Sequence, residues 1–160
     1  MIKVFKEIIP KNACESIITE GLTYKQIDAG VGKKNKKSKG RSTRIAFIDN
    51  AFLKSFIHQL VFANYDDDIV EAEDLQFAVY NIGDYYGRHK DANKDNKRTL
   101  SVSIQLSNPS NYEGGELIFD NIEPIEKAQG TVVIFPSNLY HRVSPVVSGV
   151  RYSLVQWYHG

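Results

Sequence analysis

Two histidines and an aspartate are the side chains of this sequence with the clearest capacity for chemistry. His89 and Asp91 stand two residues apart near the end of the segment Tyr80–Asp91. Side chains two residues apart on an extended chain point to the same side, so both can face one metal ion if this segment is a strand or the end of one. Such a triplet occurs by chance in many proteins and is weak evidence alone.

The second histidine, His141, lies just beyond an apolar segment that ends at Pro136. It follows a short turn, where the mouth of a barrel would place it. Two histidines and one carboxylate leave three open positions on an octahedral metal, the arrangement expected of oxygen-using iron(II) enzymes. Zinc, with the same ligands and a water molecule, is the alternative, and the spacing does not choose between them.

An arginine further along favours iron with a carboxylate-bearing cosubstrate. In the predicted strand 150–158, Arg151, Ser153, Val155 and Trp157 share one face. An inward guanidinium can hold both oxygens of a carboxylate in a fork, and the hydroxyl of Ser153 adds a donor. An exposed strand face would be the ordinary interpretation of Arg151 alone, so this hypothesis depends on the candidate metal ligands.

The composition indicates one globular domain. The 160 residues suffice for a single core, so we expect residues 1–160 to form one domain that carries both scaffold and site. The net charge of +1 is not the marked basic excess that nucleic-acid binders more often carry, and a nucleic-acid partner is not expected. A single cysteine, and the absence of a signal-like or membrane-length apolar run, predict a cytoplasmic protein without membrane association.

The elements that must position these residues change in type along the chain. Apolar residues recur at helical spacing in 11–21, with Gly21 as the expected stop, and in 50–65. Short β-rich segments separated by turn residues follow, and they predict a mainly antiparallel sheet. These segments are 75–82, 98–108, 116–120, 130–136 and 150–158. The expected fold is mainly β with flanking helices, as a double-sheet barrel or jelly roll.

Two polar patterns leave alternatives open. The glycine-, lysine- and serine-rich run 30–44 reads as a mobile surface loop, or its part Lys33–Arg44 as a basic flap near the substrate entrance. In the segment 98–106, polar and apolar residues alternate strictly from Thr99 onward. Either one face meets water, or Thr99, Ser101, Ser103 and Gln105 line a polar cavity.

In their order, these motifs resemble the iron(II)- and 2-oxoglutarate-dependent dioxygenases, specifically the prolyl 4-hydroxylase group with its small bacterial and viral relatives. The similarity runs from about Gly40 to Trp157. It consists of Arg41-Ser42 with Phe47-Ile48, Tyr80-x-x-Gly83 before His89-x-Asp91, the run 98–108 with the glycine pair in Tyr112–Leu117, and the block from His141 to Ser153. Several spaced motifs in one order are more specific than any one of them.

The resemblance implies a double-stranded β-helix (jelly-roll) fold and a coupled reaction. In that reaction 2-oxoglutarate, oxygen and a prime substrate give succinate, carbon dioxide and a hydroxylated product. By the same resemblance, His89, Asp91 and His141 bind iron(II), Arg151 binds the distal carboxylate of 2-oxoglutarate, and Tyr80 lies near that cosubstrate. Ascorbate is left as an open candidate for a further cofactor.

The sequence departs from the family pattern at two positions. Many prolyl 4-hydroxylases have lysine where this chain has Arg151, although other members use arginine. Gln105 stands where relatives often have a tyrosine on the central strand, so it is the candidate for the second cosubstrate contact, beside Ser153.

Three residues are candidates for the substrate side: Trp157, which shares the face of Arg151, and Tyr86 and Arg88, just ahead of the metal block. The alternatives are that Trp157 only packs in the core and that Tyr86 and Arg88 are ordinary loop residues. The leading hypothesis is hydroxylation of proline in a protein or peptide. The alternatives are an oxygenase of a free amino acid, another small metabolite or nucleic acid, and a barrel that binds a metal or carboxylate without turnover. The oligomeric state is left open.

Overall fold

The computed structural model describes residues 1–31, 36–37, 40–65 and 68–160, with the backbone alone at residues 30, 31, 36 and 37. The helices are α1 (Lys11–Thr23) and α2 (Ala51–Asn64). The strands are β1 (Lys3–Phe5), β2 (Ile27–Asp28), β3 (Gly30–Val31), β4 (Lys36–Lys37), β5 (Arg41–Ser42), β6 (Arg44–Ile48), β7 (Glu71–Ala72), β8 (Leu75–Tyr80), β9 (Tyr85–His89), β10 (Arg98–Gln105), β11 (Tyr112–Gly114), β12 (Leu117–Phe119), β13 (Val132–Pro136), β14 (His141–Val143), β15 (Val146–Gly149) and β16 (Arg151–His159).

Two antiparallel sheets face each other. The larger has the order β1-β13-β10-β16-β8-β6-β2, with β7 beside β16, and the smaller has the order β12-β14-β9-β5. Buried side chains of both sheets form a common cluster, in which Tyr80 and Phe135 come from the larger sheet and Leu117 and Val143 from the smaller. The predicted mainly β, jelly-roll architecture with flanking helices is confirmed.

The larger sheet has an apolar face and a polar face, and both are buried. Leu100, Val102 and Ile104 of β10 pack in the cluster that includes residues of both helices, and Val102 and Ile104 are completely buried. On the opposite side, Ser101, Ser103 and Gln105 are also buried. Of these three residues only Ser103 lines the cavity between the sheets, while Ser101 and Gln105 are buried on the same face. The smaller sheet covers the side of β10 that water would otherwise meet. Thr99 is exposed.

Both predicted helices are present. The side chain of Asn50 caps α2 by accepting a 2.9 Å hydrogen bond from the backbone N–H of Leu53. Helix α1 runs two residues beyond Gly21, so the expectation that Gly21 stops the helix was wrong. Instead, Gly21 lets α1 approach the sheet, because a Cβ there would lie 2.6 Å from the ring of Phe77.

Parts of the polar run 30–44 form strands. Strand β5 pairs with β9, and β6 pairs with β8, so the prediction of one continuous surface loop was wrong at its C-terminal end. Cross-strand pairing at the sheet edges decides the conformation there, against a composition typical of loops. Within the basic flap expected over Lys33–Arg44, residues 33–35, 38 and 39 lie outside the described residues. Within the described ranges, neither helix has the length and apolar character needed to cross a membrane.

Replacing Gly21 by alanine tests the close approach of α1 to the sheet. At an open helical position this change would stabilise the protein by about 1 kcal/mol. At Gly21 the added methyl group overlaps Phe77, and we expect a net loss of about 1–3 kcal/mol in the free energy of unfolding. Urea denaturation measures this loss. Ser16→Ala, at an exposed position of the same helix, is the matched control and should change stability by less than about 0.5 kcal/mol. A Gly21→Ala variant more stable than wild type would contradict the packing described.

Candidate metal centre

Strand pairing in the smaller sheet brings the two histidines together. His89 ends β9, His141 begins β14, and the register places them directly opposite each other. Asp91 follows two residues after His89. One ligand atom from each of the three side chains lies within 4.8 Å of the other two. The sequence prediction that these residues meet is therefore matched by the geometry.

The backbone orients both imidazole rings. His89 Nδ1 lies 2.7 Å from the carbonyl oxygen of Gly87, and His141 Nδ1 lies 2.9 Å from that of Leu139. A carbonyl only accepts, so Nδ1 carries a proton in each ring. In the neutral ring Nε2 then keeps its lone pair, the form that binds a metal. The Nε2 atoms of His89 and His141 lie 3.2 Å and 3.4 Å from Asp91 Oδ1.

The Asp91 carboxyl is buried and ionised. Burial alone would raise its pKa, but the hydrogen bonds and charges of His141 and His89 outweigh burial and hold the pKa well below its ordinary value. Burial would likewise lower the pKa of His141, but the interaction with Asp91 raises it above the usual value. This donor set, of two imidazoles and one carboxylate, could hold iron(II) with open positions, or zinc.

The three side chains line a cavity between the sheets, and Arg151 lines the same cavity. The Arg151 side chain is 1% exposed. It donates hydrogen bonds to Gln105 Oε1 at 3.1 Å and to Ser153 Oγ at 3.4 Å, and its guanidinium carbon lies 5.1 Å from the centre of the Tyr80 ring. All three neighbours are neutral.

No carboxylate of the described residues lies within 4.0 Å of the Arg151 guanidinium, and its Nε atom has no hydrogen-bond partner. A buried cation without a counter-charge is costly, so this part of the cavity fits an anionic ligand. Gln105 contacts the guanidinium itself, and is not among the residues that line the cavity.

Further unpaired donors surround the same space. Arg41 Nε, Gln76 Nε2 and Trp157 Nε1 are buried without a hydrogen-bond partner, and all three residues line the cavity. Buried donors normally have partners, so a cluster of unpaired ones indicates an acceptor-rich ligand or ordered water. Sequence reasoning missed Gln76 and saw Arg41 only as part of a family motif. The available signal was that Gln76 interrupts an otherwise apolar strand.

The three residues predicted for the substrate side are placed differently. Trp157 and Tyr86 line the cavity, and the Tyr86 ring stacks on His89 with 3.5 Å between ring centres. The side chain of Arg88 lies outside the cavity lining. It pairs with Asp120 at 2.6 Å, and its guanidinium carbon lies 3.9 Å from the centre of the Tyr140 ring. The structure therefore brings two of the three to the cavity.

Comparisons with known proteins agree with this geometry. A family model described as the 2OG-Fe(II) oxygenase superfamily matches residues 75–159. A PKHD-type hydroxylase of Synechococcus sp. (strain CC9902) is 35% identical over 115 residues, which cover 69% of this chain and 47% of that protein. The chain spans less than half the length of the curated relatives that it matches.

Two solved structures share the fold. A Pseudomonas putida prolyl-4-hydroxylase has a TM-score of 0.84 and 23% identity, with coverage of 99% of this chain and 92% of that one. A prolyl hydroxylase from Trichoplax adhaerens, in complex with a peptide fragment of the hypoxia inducible factor oxygen degradation domain, has a TM-score of 0.84 and 19% identity, with coverage of 99% and 83%.

Asp91→Asn tests the metal centre. The amide removes the negative charge but keeps the shape, so we expect affinity for Co²⁺, a spectroscopic substitute for iron(II), to fall more than about 100-fold. Loss of a group that hydrogen-bonds to a metal ligand lowers metal affinity roughly 10- to 100-fold, and loss of the charge of the ligand itself should lower it more. Isothermal titration calorimetry measures the affinity. Asp95→Asn, which changes an exposed carboxylate nearby, is the control and should bind like wild type. Equal Co²⁺ affinity in Asp91→Asn and wild type would rule Asp91 out as a ligand.

Proposed function

The chain belongs to the 2OG-Fe(II) oxygenase superfamily, and from this premise we propose that it hydroxylates proline in a protein or peptide. The observation that carries the proposal is the buried guanidinium of Arg151, which lacks an acidic partner among the described residues and lines the same cavity as the His89, Asp91 and His141 cluster. The cavity thus combines an anion receptor with a set of metal ligands. The family implies iron(II), 2-oxoglutarate and oxygen as its cofactors.

In this proposal, iron(II) is held by Nε2 of His89, Oδ1 of Asp91 and Nε2 of His141. The protonated Nδ1 atoms keep both rings turned toward the centre, because each is tied to a backbone carbonyl. When bound, iron(II) supplies the redox chemistry by which oxygen and 2-oxoglutarate oxidise the substrate. The part of the protein is to orient the ligands and to limit water in the space between the sheets.

Arg151 is proposed to hold the distal carboxylate of 2-oxoglutarate. One of its nitrogens donates to Gln105 Oε1, while Nε has no partner and is available to a ligand. Ser153 lies two residues along the same face and adds a hydroxyl, and Tyr80 packs beside the guanidinium. Gln105 is thus assigned to orienting Arg151, and Ser153 and Tyr80 to the pocket for the cosubstrate.

A peptide substrate is supported by the unpaired donors on the cavity wall. Arg41 Nε and Trp157 Nε1 are buried donors, and peptide carbonyl groups are acceptors that could satisfy them. Two fold relatives are prolyl hydroxylases by their names, and the Trichoplax protein was solved with a peptide. Because the cavity-lining residues extend from Arg41 to Trp157, we also propose that residues 1–160 act as one catalytic domain.

Product analysis with peptides tests the proline assignment. Proline-rich peptides incubated with iron(II) and 2-oxoglutarate should gain one oxygen atom on proline, located by tandem mass spectrometry, and release succinate. The matched peptide control has alanine in place of the modified proline and should stay unmodified. Parallel reactions with and without ascorbate show whether it contributes.

The alternatives have distinct outcomes in the same experiment. Hydroxylation of free amino acids or other metabolites, but not of varied proline peptides, would replace the peptide assignment. Binding to DNA or RNA at low salt is required for a nucleic-acid substrate. If wild type and His141→Ala release equally little succinate while wild type binds iron, the barrel binds without turnover.

Arg151→Gln and Arg151→Lys test the cosubstrate anchor. A charge-assisted hydrogen bond is worth about 1.5–3 kcal/mol, so loss of the charge in Arg151→Gln should raise the KM for 2-oxoglutarate by about 10- to 100-fold. Arg151→Lys keeps the charge without the fork and should lie between this variant and wild type. Arg44→Gln, at an exposed arginine, is the control. An unchanged KM in Arg151→Gln would remove Arg151 from the cosubstrate site.

A further inference from the structure

The two oxygens of the Asp91 carboxylate have different partners. Oδ1 lies 3.2 Å and 3.4 Å from the Nε2 atoms of His89 and His141. Oδ2 instead lies 2.7 Å from Ser101 Oγ, on the central strand β10 of the larger sheet. Oδ1 of Asp91 therefore faces both histidines, whereas Oδ2 accepts a hydrogen bond from a serine of the larger sheet.

The direction of this hydrogen bond follows from proton counting. A carboxylate that serves as a metal ligand only accepts hydrogen bonds, so the hydroxyl of Ser101 donates its one proton to Asp91 Oδ2. Ser101 Oγ also lies 2.8 Å from Ser137 Oγ, and in that contact Ser137 must be the donor. Both serines are completely buried, where successive hydrogen bonds polarise and strengthen one another. The result is a directed chain from Ser137 through Ser101 to Asp91 Oδ2.

The backbone fixes this chain in place. The N–H of Ser137 donates to the carbonyl of Thr99 at 2.9 Å, and the N–H of Ala92 donates to the carbonyl of Ser137 at 2.8 Å. Ser137 is therefore tied both to the strand that carries Ser101 and to the segment that carries Asp91. The carboxylate cannot turn about its side-chain bonds without breaking the hydrogen bond from Ser101.

We propose that Ser101, supported by Ser137, is a positioning residue that makes Asp91 a one-oxygen metal ligand. A carboxylate can bind a metal through one oxygen or both, and the second oxygen would take a further coordination position. With two imidazoles and one oxygen as ligands, three positions of an octahedral ion would be left for the cosubstrate and oxygen. Ser101 thus keeps a position open. This inference rests on the proposed function, because it concerns the same iron site.

Ser101→Ala removes the donor to Oδ2 and frees that oxygen to reach the metal. With Co²⁺ bound, we expect the affinity for 2-oxoglutarate, measured by calorimetry, to fall about tenfold or more, which is the scale of outer-partner effects at metal sites. The visible absorption spectrum of bound Co²⁺ should also change, because it reports the coordination of the ion. Ser101→Thr retains a hydroxyl and should restore both readouts.

Two further variants keep the test decisive. Ser137→Ala leaves the Ser101 bond to Asp91 but removes its support, so a smaller loss of 2-oxoglutarate affinity is expected. Ser137→Ala is also the second test of the proposal if Ser101→Thr does not fold. Thermal unfolding of each metal-free variant shows whether it folds. Ser107→Ala removes another buried hydroxyl, which instead accepts a hydrogen bond from the backbone N–H of Tyr152. This control should match wild type in both readouts.

The outcomes separate this proposal from the function on which it rests. If Ser101→Ala loses only Co²⁺ affinity, with the spectrum and the 2-oxoglutarate affinity unchanged, Ser101 has a merely structural role and the proposal is overturned. If all readouts of Ser101→Ala equal those of wild type, it is overturned as well. If metal-loaded wild type itself binds no 2-oxoglutarate, the proposed function fails.

Discussion

A carboxylate buried between two sheets needs compensation for its charge, and the candidate site depends on how Asp91 receives it. The two histidines supply it on one oxygen and Ser101 on the other. The hydrogen bonds and charges of His141 and His89 outweigh the effect of burial and hold the pKa of Asp91 well below its ordinary value. Nε2 donates to Asp91 Oδ1 only while it carries a proton, and loss of that proton leaves a lone pair there. Two deprotonated Nε2 atoms beside a carboxylate suit a divalent cation, because they offer neutral donors and negative charge at one point.

The two sheets supply different residues of this site. The smaller sheet sets the two histidines opposite each other through the register of two short strands. The larger sheet supplies Ser101 and, on the neighbouring strand, Arg151, whose charge has no acidic partner among the described residues. The cavity therefore presents a cation-binding cluster and an anion-binding guanidinium on separate elements. A ligand with carboxylate groups at both ends, as in 2-oxoglutarate, matches both.

Much of this arrangement was predictable from the sequence because it follows from periodicity. Alternation along β16 placed Arg151, Ser153 and Trp157 on one face, and all three line the cavity. Periodicity could not decide which side of β10 meets water, because only the covering sheet determines that. The register of β9 and β14 and the pairing of β5 arise from contacts between distant segments, which composition does not record. The hydrogen bonds of Ser101 and Ser137 near Asp91 became visible only with the two sheets assembled.

The central claim is that metal ligands and cosubstrate anchor belong to one site. A crystal structure of the protein with iron(II) and 2-oxoglutarate, prepared without oxygen, tests it most directly. The account predicts iron bound by His89 Nε2, Asp91 Oδ1 and His141 Nε2, with the distal carboxylate of 2-oxoglutarate on Arg151. Iron held by other residues, or a 2-oxoglutarate carboxylate that does not contact Arg151, would contradict it.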